Sequence, residues 1–445
     1  MFKRFITTIK NIFSIEELRS RIITTLLLLL VFRLGTVVVL PGIDVNSQAF
    51  LDRFGKAKDG VLGILDTFLG GAFSNASIFA LGIMPYISAS IVVQLLTVAL
   101  PQFQKMQKEG ESGRKRMNQI TRFLTVLITI VQASAYLTTT IPSEAVLMDI
   151  NLFRISSIII LTSGTIFCMW LGEKITDKGI GNGISMLIMI GIVSRLVPAL
   201  VYEGRATGTG GILRFLIELV VLYFIVMGVV LLTQATRRIP VQYAKQVIGN
   251  KVYGGQRQYI PLKLNTAGVM PIIFAQTLMF LPTLVAGLFA EKNEFASTVA
   301  TIFADYTSWQ YSLLFAVLII IFTFFYTAIA IDPKNISDSM RQNGGFVPGI
   351  KPGEPTTEFI DNILSRITLP GALFLVILAI LPSFASRLGV GRELSQFFGG
   401  TSLLIMVGVV LDTLQQIESY LLMRRYEGLM QTGKVKGRLS DTVDA

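Results

Sequence analysis

The sequence predicts an all-α polytopic membrane protein, with ten transmembrane helices in two inverted five-helix halves and a short re-entrant helix after the first span. Three observations carry this. Of 445 residues, 52% are hydrophobic and only 15% charged, and the apolar residues come in long blocks. Ten blocks approach the roughly 20 residues that a helix needs to cross the hydrocarbon core, where an open strand would leave its backbone unbonded. Finally, a nine-residue string of the first half returns in the second.

The blocks lie near 22–40, 76–97, 121–140, 154–173, 184–202, 212–233, 266–290, 311–331, 368–386 and 399–420. The basic, amphipathic stretch 1–21 precedes them, and the block after it has no small-residue cleavage site, so the first span is expected to be retained. Residues 22–202 form the first half, 203–420 the second and 421–445 a tail. Lysine and arginine set the orientation, because they are retained in short cytoplasmic loops. With the amino terminus inside, 28 of them fall on the cytoplasmic side and 10 opposite, and Arg33 lies within a span. Both termini are therefore expected inside, and the +11 net charge reads either as this rule alone or as the mark of a dedicated anionic partner.

The chemistry is bounded by what is missing. With no histidine and one cysteine, the chain lacks the parts for imidazole acid–base catalysis, His or Cys metal cages and disulfide frameworks. Cys168 reads as core filler. "KGIGNG" at 178–183 lacks a following Lys-Ser/Thr pair and reads as a tight turn between spans, not a nucleotide loop. No catalytic residue, cofactor or metal is expected.

Residues 61–75 raise the functional question. As helix they reach only about 22 Å, short of a core about 30 Å thick, so they cannot cross it. They can dip in and return, but backbone at that depth must be buried in protein or face a wet cavity. Asp66, Gly63, Gly70 and Gly71 suit a short, partly wet helix there; an ordinary external loop helix is the alternative. The repeated string is "GIMPYISAS" at 82–90 and "GVMPIIFAQ" at 268–276, each opening the second span of a five-span half. Five is odd, so the halves run oppositely, and glycine- and proline-interrupted segments at matching places point to a path near the midplane. Ile83, Ile87, Ser90 and Gln94 share one helix face; Ile273, Gln276 and Thr277 share another. These stripes fit either a conduit wall or helix packing with polar groups between helices.

The chain also resembles the SecY family, the channel subunit of the protein translocase, through "SIFALGIMPYISASIVVQLLTV", "DKGIGNGIS", "NTAGVMP", "FVPGIKPGEPT" and "GGTSLLIMVGVVLDT" in order across ten spans. The resemblance implies a passive channel in the bacterial cytoplasmic membrane that passes unfolded preproteins and releases transmembrane segments sideways into lipid. It implies that 61–75, with Asp66, Phe68, Gly70 and Gly71, is a plug, and that Ile83, Ile87, Ile184, Ile188, Ile273 and Ile405 form a pore ring. Branched apolar side chains can close around a varied chain, and an empty apolar ring dewets. Spans 76–97 and 266–290 are implied to form a lateral gate, with Ser90, Gln94, Gln276 and Thr277 as its polar contacts.

Two cytoplasmic segments, 234–265 and 332–366, are too long and decorated for mere connectors. The first alternates Val, Tyr and Ile around "YGG" as a hairpin does. The resemblance makes both docking surfaces for the ribosome, whose RNA offers phosphates, or for the motor ATPase SecA. Arg237, Arg238, Lys245, Lys251, Arg257 and Lys351 are the candidates there. Lys351 stands where the family usually has arginine, keeping the charge but losing the planar fork. SecE and SecG subunits, signal sequences, nascent polypeptides and membrane lipid are the other implied partners. A secondary transporter shares inverted repeats and broken helices, but needs ionisable groups at the midplane. Arg33, Glu218 and Asp412 are scattered, and most lie toward span ends.

Overall fold

The computed structural model describes residues 13–57, 61–206, 211–243, 246–248, 251–253, 257–289, 303, 305 and 307–431. A helix stands on each of the ten apolar blocks: Glu16–Gly35, Met84–Ala99, Glu111–Thr139, Ile150–Lys178, Gly183–Ala206, Ile212–Gln234, Met270–Phe289, Trp309–Ala330, Glu354–Arg387 and Gly400–Gln431, labelled spans 1 to 10 after the expected crossings whose blocks they cover. Seven helices among the described residues are long and apolar enough to cross a bilayer unaided. Spans 1, 2 and 7 are the remaining three. Span 1 opens on the charged EELRSR and carries Arg33.

Spans 2 and 7 are shortened by the same device. The sequence places helix over 76–97 and 266–290, but the helices start only at Met84 and Met270. In each, proline follows the methionine directly. Proline lacks an N–H, so it sits in a first turn without loss, and it steers the residue before it away from continuing helix. Two residues ahead of each methionine stands a glycine with positive φ, Gly82 at 49° and Gly268 at 62°. Span 2 has 16 residues, about 24 Å of helix. Its far end breaks at Pro101, and the polar helix Pro101–Lys108 turns away by 101°.

Helices also overrun their apolar blocks. Span 3 begins at Glu111 and span 9 at Glu354, well before 121 and 368, because backbone bonding continues through polar turns once a helix is nucleated. Leu26, Leu30, Phe123, Val131, Ile155, Ile159, Leu213 and Ile217 are exposed, as lipid-facing side chains should be. Inside, one cluster joins Leu29, Phe79, Cys168, Leu187 and Ile192 to Phe397, Ile405 and Val409 of the span 10 region. A second lies within the later half around Ile272, Met279, Ile319, Leu375 and Leu403. Cys168 is fully buried in span 4, the filler role read from sequence. The 178–183 turn is indeed tight, with Gly181 at φ +81°. The Ile180 N–H donates to Thr25 Oγ1 of span 1 at 3.0 Å, and the Gly181 N–H to Gln416 Oε1 of span 10 at 2.8 Å.

The two long loops are a single object. Strands β1 (Thr236–Tyr243), β2 (Gln246–Ile248), β3 (Lys251–Tyr253) and β4 (Arg257–Lys263) form the hairpin read from sequence, β1 against β4 with Ile239 opposite Ile260 and β2 against β3. Strand β5 (Gly345–Phe346) of the other loop then adds antiparallel to β1, giving the order β4-β1-β5. Ile239, Val241 and Leu262 of the sheet bury against Met340, Val347, Ile360 and Leu364.

Candidate functional site

The re-entrant segment is inside the protein. Helix Val61–Phe68 ends in turns that lead to span 2, and every residue from Asp66 to Ser74 is buried. Burial in protein is what a backbone at membrane depth requires. Gly70 and Gly71 lie beyond the helix, not within it, at φ +62° and +93°. A side chain at Gly71 would meet the Arg195 guanidinium at 2.8 Å, and one at Gly70 would meet the Gly191 backbone at 2.9 Å. Glycine is required here by both conformation and space.

Polar groups fasten the segment. Asp66 accepts the Ser74 N–H at 2.8 Å and the Ser74 hydroxyl at 2.6 Å, and it pairs with Arg195 of span 5. Arg195 also donates to Ser74 Oγ at 2.9 Å. Arg33 of span 1 donates to the Gly70 carbonyl at 3.1 Å, and Tyr136 of span 3 to the Phe73 carbonyl at 2.8 Å. The Thr67 hydroxyl donates to Gln396 Oε1, ahead of span 10.

Beneath the segment, a small and almost wholly apolar cavity is lined by Ile87, Ile188, Ile273 and Ile405 from spans 2, 5, 7 and 10, together with Met84, Gln276, Thr277 and Phe68. Phe68, at the end of the short helix, covers the convergence. Ile83 and Ile184 do not line this cavity. Each stands one helical turn, about 6 Å, before Ile87 or Ile188. A constriction at a single level takes one side chain per helix. Ile83 is buried in the same apolar cluster as Ile87, Ile188 and Ile405, and Ile184 packs against that cluster beside Gly172 of span 4.

The four polar residues on spans 2 and 7 do not bond across to one another. Among the described residues, no hydrogen bond joins Ser90 or Gln94 to Gln276 or Thr277. Gln276 instead accepts from Thr401 of span 10 at 3.0 Å, and Thr277 donates to its own helix at the Ile273 carbonyl. Gln276 is buried, so it must find a partner, and span 10 is the neighbour that offers a hydroxyl. In the β1 strand and the loop after β5, Arg237, Arg238 and Lys351 are exposed. The backbones of Lys251 and Arg257 lie in β3 and β4, while Lys245 lies outside the described residues.

The SecY family model matches residues 77–414. The protein translocase subunit SecY of Streptomyces scabiei is 40% identical over 439 residues, covering 96% of this chain and all of the relative. The chain belongs to the SecY family. Its fold is similar to that of a solved SecY protein whose plug domain stabilises the closed state of the translocation channel and maintains a membrane seal (TM-score 0.63, 16% identity, 90% and 92% of the two chains). It is also similar to canine Sec61 in a ribosome-channel complex from the endoplasmic reticulum (TM-score 0.58, 15% identity, 90% and 92%).

Within this SecY-family chain, the sequence assigns no role to Arg195, Gln396 or Thr401, and it marks Arg33 only as a charge within a span. A signal for the arginines was available. An arginine inside or beside an apolar span has to find a partner, and Asp66 was the acid with no other evident role. Gln396 and Thr401 carried none, since neutral polar residues at a span entrance are ordinary.

Proposed function

We propose that this chain is the pore subunit of a Sec protein-conducting channel, in which residues 61–75 are the plug and isoleucines 87, 188, 273 and 405 are the constriction. One observation carries it: four isoleucines from four spans converge on one small apolar cavity, and Phe68 of the buried segment covers it. Branched side chains of one kind recognise no chemical group, so the conduit is selective by fit and dryness. Ile83 and Ile184 extend the apolar wall by a turn. The channel does no chemistry itself; a motor ATPase such as SecA, or a translating ribosome, supplies the energy.

Spans 2 and 7 both border the cavity, which favours them as the lateral gate. An apolar segment of about 20 residues gains roughly 0.3–0.6 kcal/mol per Leu-like residue at the bilayer centre, so it leaves sideways into lipid while a polar segment continues. In the gate, Gln276 acts through Thr401, with Ser90, Gln94 and Thr277 on the facing stripes. The sheet β4-β1-β5 and the β2-β3 hairpin are the docking surface, with Arg237, Arg238 and Arg257 in the sheet, Lys251 in β3 and Lys351 in the loop after β5; Lys245, in the same hairpin sequence, is the remaining candidate. Its partners are the ribosome, as for the canine relative, or SecA; SecE and SecG complete the complex. The bacterial cytoplasmic membrane, with both termini inside, is the location that the charge distribution supports.

The transporter reading is weaker. Glu218 is bonded by Arg214 at 3.0 Å and Asp412 is exposed, so the intramembrane charges do not gather at one site. Reconstituted proteoliposomes distinguish the two. Passage of a signal-bearing polypeptide that requires SecA with ATP, or a ribosome, supports the channel. Substrate-coupled ion flux without either would replace it by the transporter.

A further inference from the structure

The contacts of the buried segment are sorted by half. Toward the first half they are charged or close: Asp66 and Ser74 to Arg195, the Gly70 carbonyl to Arg33, and the Phe73 carbonyl to Tyr136, whose ring meets Phe73 edge-on at 4.8 Å. Main-chain bonds add to these, Leu40 N–H to the Ala76 carbonyl and Ile78 N–H to the Val38 carbonyl, both at 2.9 Å. Gly191 of span 5 lies so near the Phe68 carbonyl that a methyl group there would collide.

Toward the second half the packing is open. Among the described residues, the one hydrogen bond that crosses from 61–76 to the second half is the neutral Thr67–Gln396 pair. Two further cavities border the segment. One lies along that side, between Thr67 and Phe68 and the residues Tyr311, Ser383, Gln396 and Thr401; the other, around Asp66 and Thr67, lies between Glu393 and Gln396 on that side and Arg195, Pro198 and Ala199 of span 5. Charge-assisted hydrogen bonds are roughly twice as strong as neutral ones, and a void forfeits dispersion contacts. The seam of least resistance therefore runs between the plug and the second half.

We infer that the plug is a fixture of the first half, and that opening parts it from the second half at Thr67–Gln396 while the Asp66–Arg195 latch stays closed. This rests on the channel reading above. Arg195 and Arg33 are positioning residues: they touch no translocating chain but hold the stopper that does. A chain entering between the halves then slides past a tilted plug, with no need for the buried ion pair to break.

Two tethers test this in proteoliposomes holding the full chain and its partner subunits. Both use a Cys168→Ala background and a short thiol cross-linker with a cleavable disulfide. Linking Thr67→Cys to Gln396→Cys is expected to stop SecA-driven passage until reductant is added, whereas linking Phe73→Cys to Tyr136→Cys leaves passage at the rate of that same variant before cross-linking. A block by the 73–136 tether, or free passage through the 67–396 tether, overturns the inference. Separately, Thr67→Ala, which loosens the joint that parts, is expected to raise resting ion leak by about fivefold, the factor for one lost neutral hydrogen bond, while Tyr136→Phe, which loosens a contact kept in both states, changes it little. A leak raised more by Tyr136→Phe than by Thr67→Ala also overturns it. Untethered vesicles that pass no polypeptide under SecA or ribosome would sink the channel reading instead, and the leak comparison would still decide the latch.

Discussion

The two Gly-x-Met-Pro turns start their helices alike and are fed by different chain. Gly82 follows a buried segment, and a side chain there would strike Leu69; Gly268 follows strand β4, and a side chain there would meet nothing within 4 Å. Both glycines hold positive φ, both helices begin at the methionine, and both helices face the isoleucine-lined cavity. One local device thus serves two tasks. In the first half it joins the buried segment to the cavity wall, and in the second it joins the sheet β4-β1-β5 to the same wall. The difference lies entirely in what each turn is packed against.

The comparison can be broken most forcefully at the wall that both turns serve. Replacing Ile87, Ile188, Ile273 and Ile405 together by serine should abolish the dry seal and give a large ion conductance in planar bilayers without any substrate, with Ile83→Ser and Ile184→Ser adding far less. A tight variant would remove the constriction from this place. Next, Gly82→Ala should cost more than Gly268→Ala. Both variants meet the left-handed backbone penalty of about 1 kcal/mol, but only the first also displaces Leu69. Detergent thermal unfolding and ion leak of the paired variants measure this, and equal losses would mean that Leu69 does not hold the turn.

A smaller effect belongs to the sheet. Ile239→Ala should loosen the β4-β1-β5 core by about 2–5 kcal/mol locally, releasing β5 and weakening ribosome or SecA binding, while Arg238→Ala weakens binding and leaves the sheet protected in hydrogen exchange. The smallest change is expected at the exposed Arg122–Glu173 pair between spans 3 and 4, at 2.7 Å with both side chains about a third or more exposed. Arg122→Ala should shift stability by less than about 1 kcal/mol, since such pairs are screened by solvent.

Much of this was legible along the chain. A multi-pass membrane protein follows from block length, because lipid imposes a length on every crossing, and the basic residues of the loops carry the orientation proposed above. The repeat at 82 and 268 was legible as well, because glycine and proline act on the backbone at their own positions. What the sequence could not decide is who meets whom. That Arg195 takes Asp66, that Gln276 turns to Thr401 instead of Ser90 or Gln94, that four of six isoleucines share a level, and that β5 makes one sheet of two loops are all contacts between residues far apart in the chain. Periodicity tells which face of a helix is apolar, but partner and depth are set by how the helices cross, and only the packed structure holds that information.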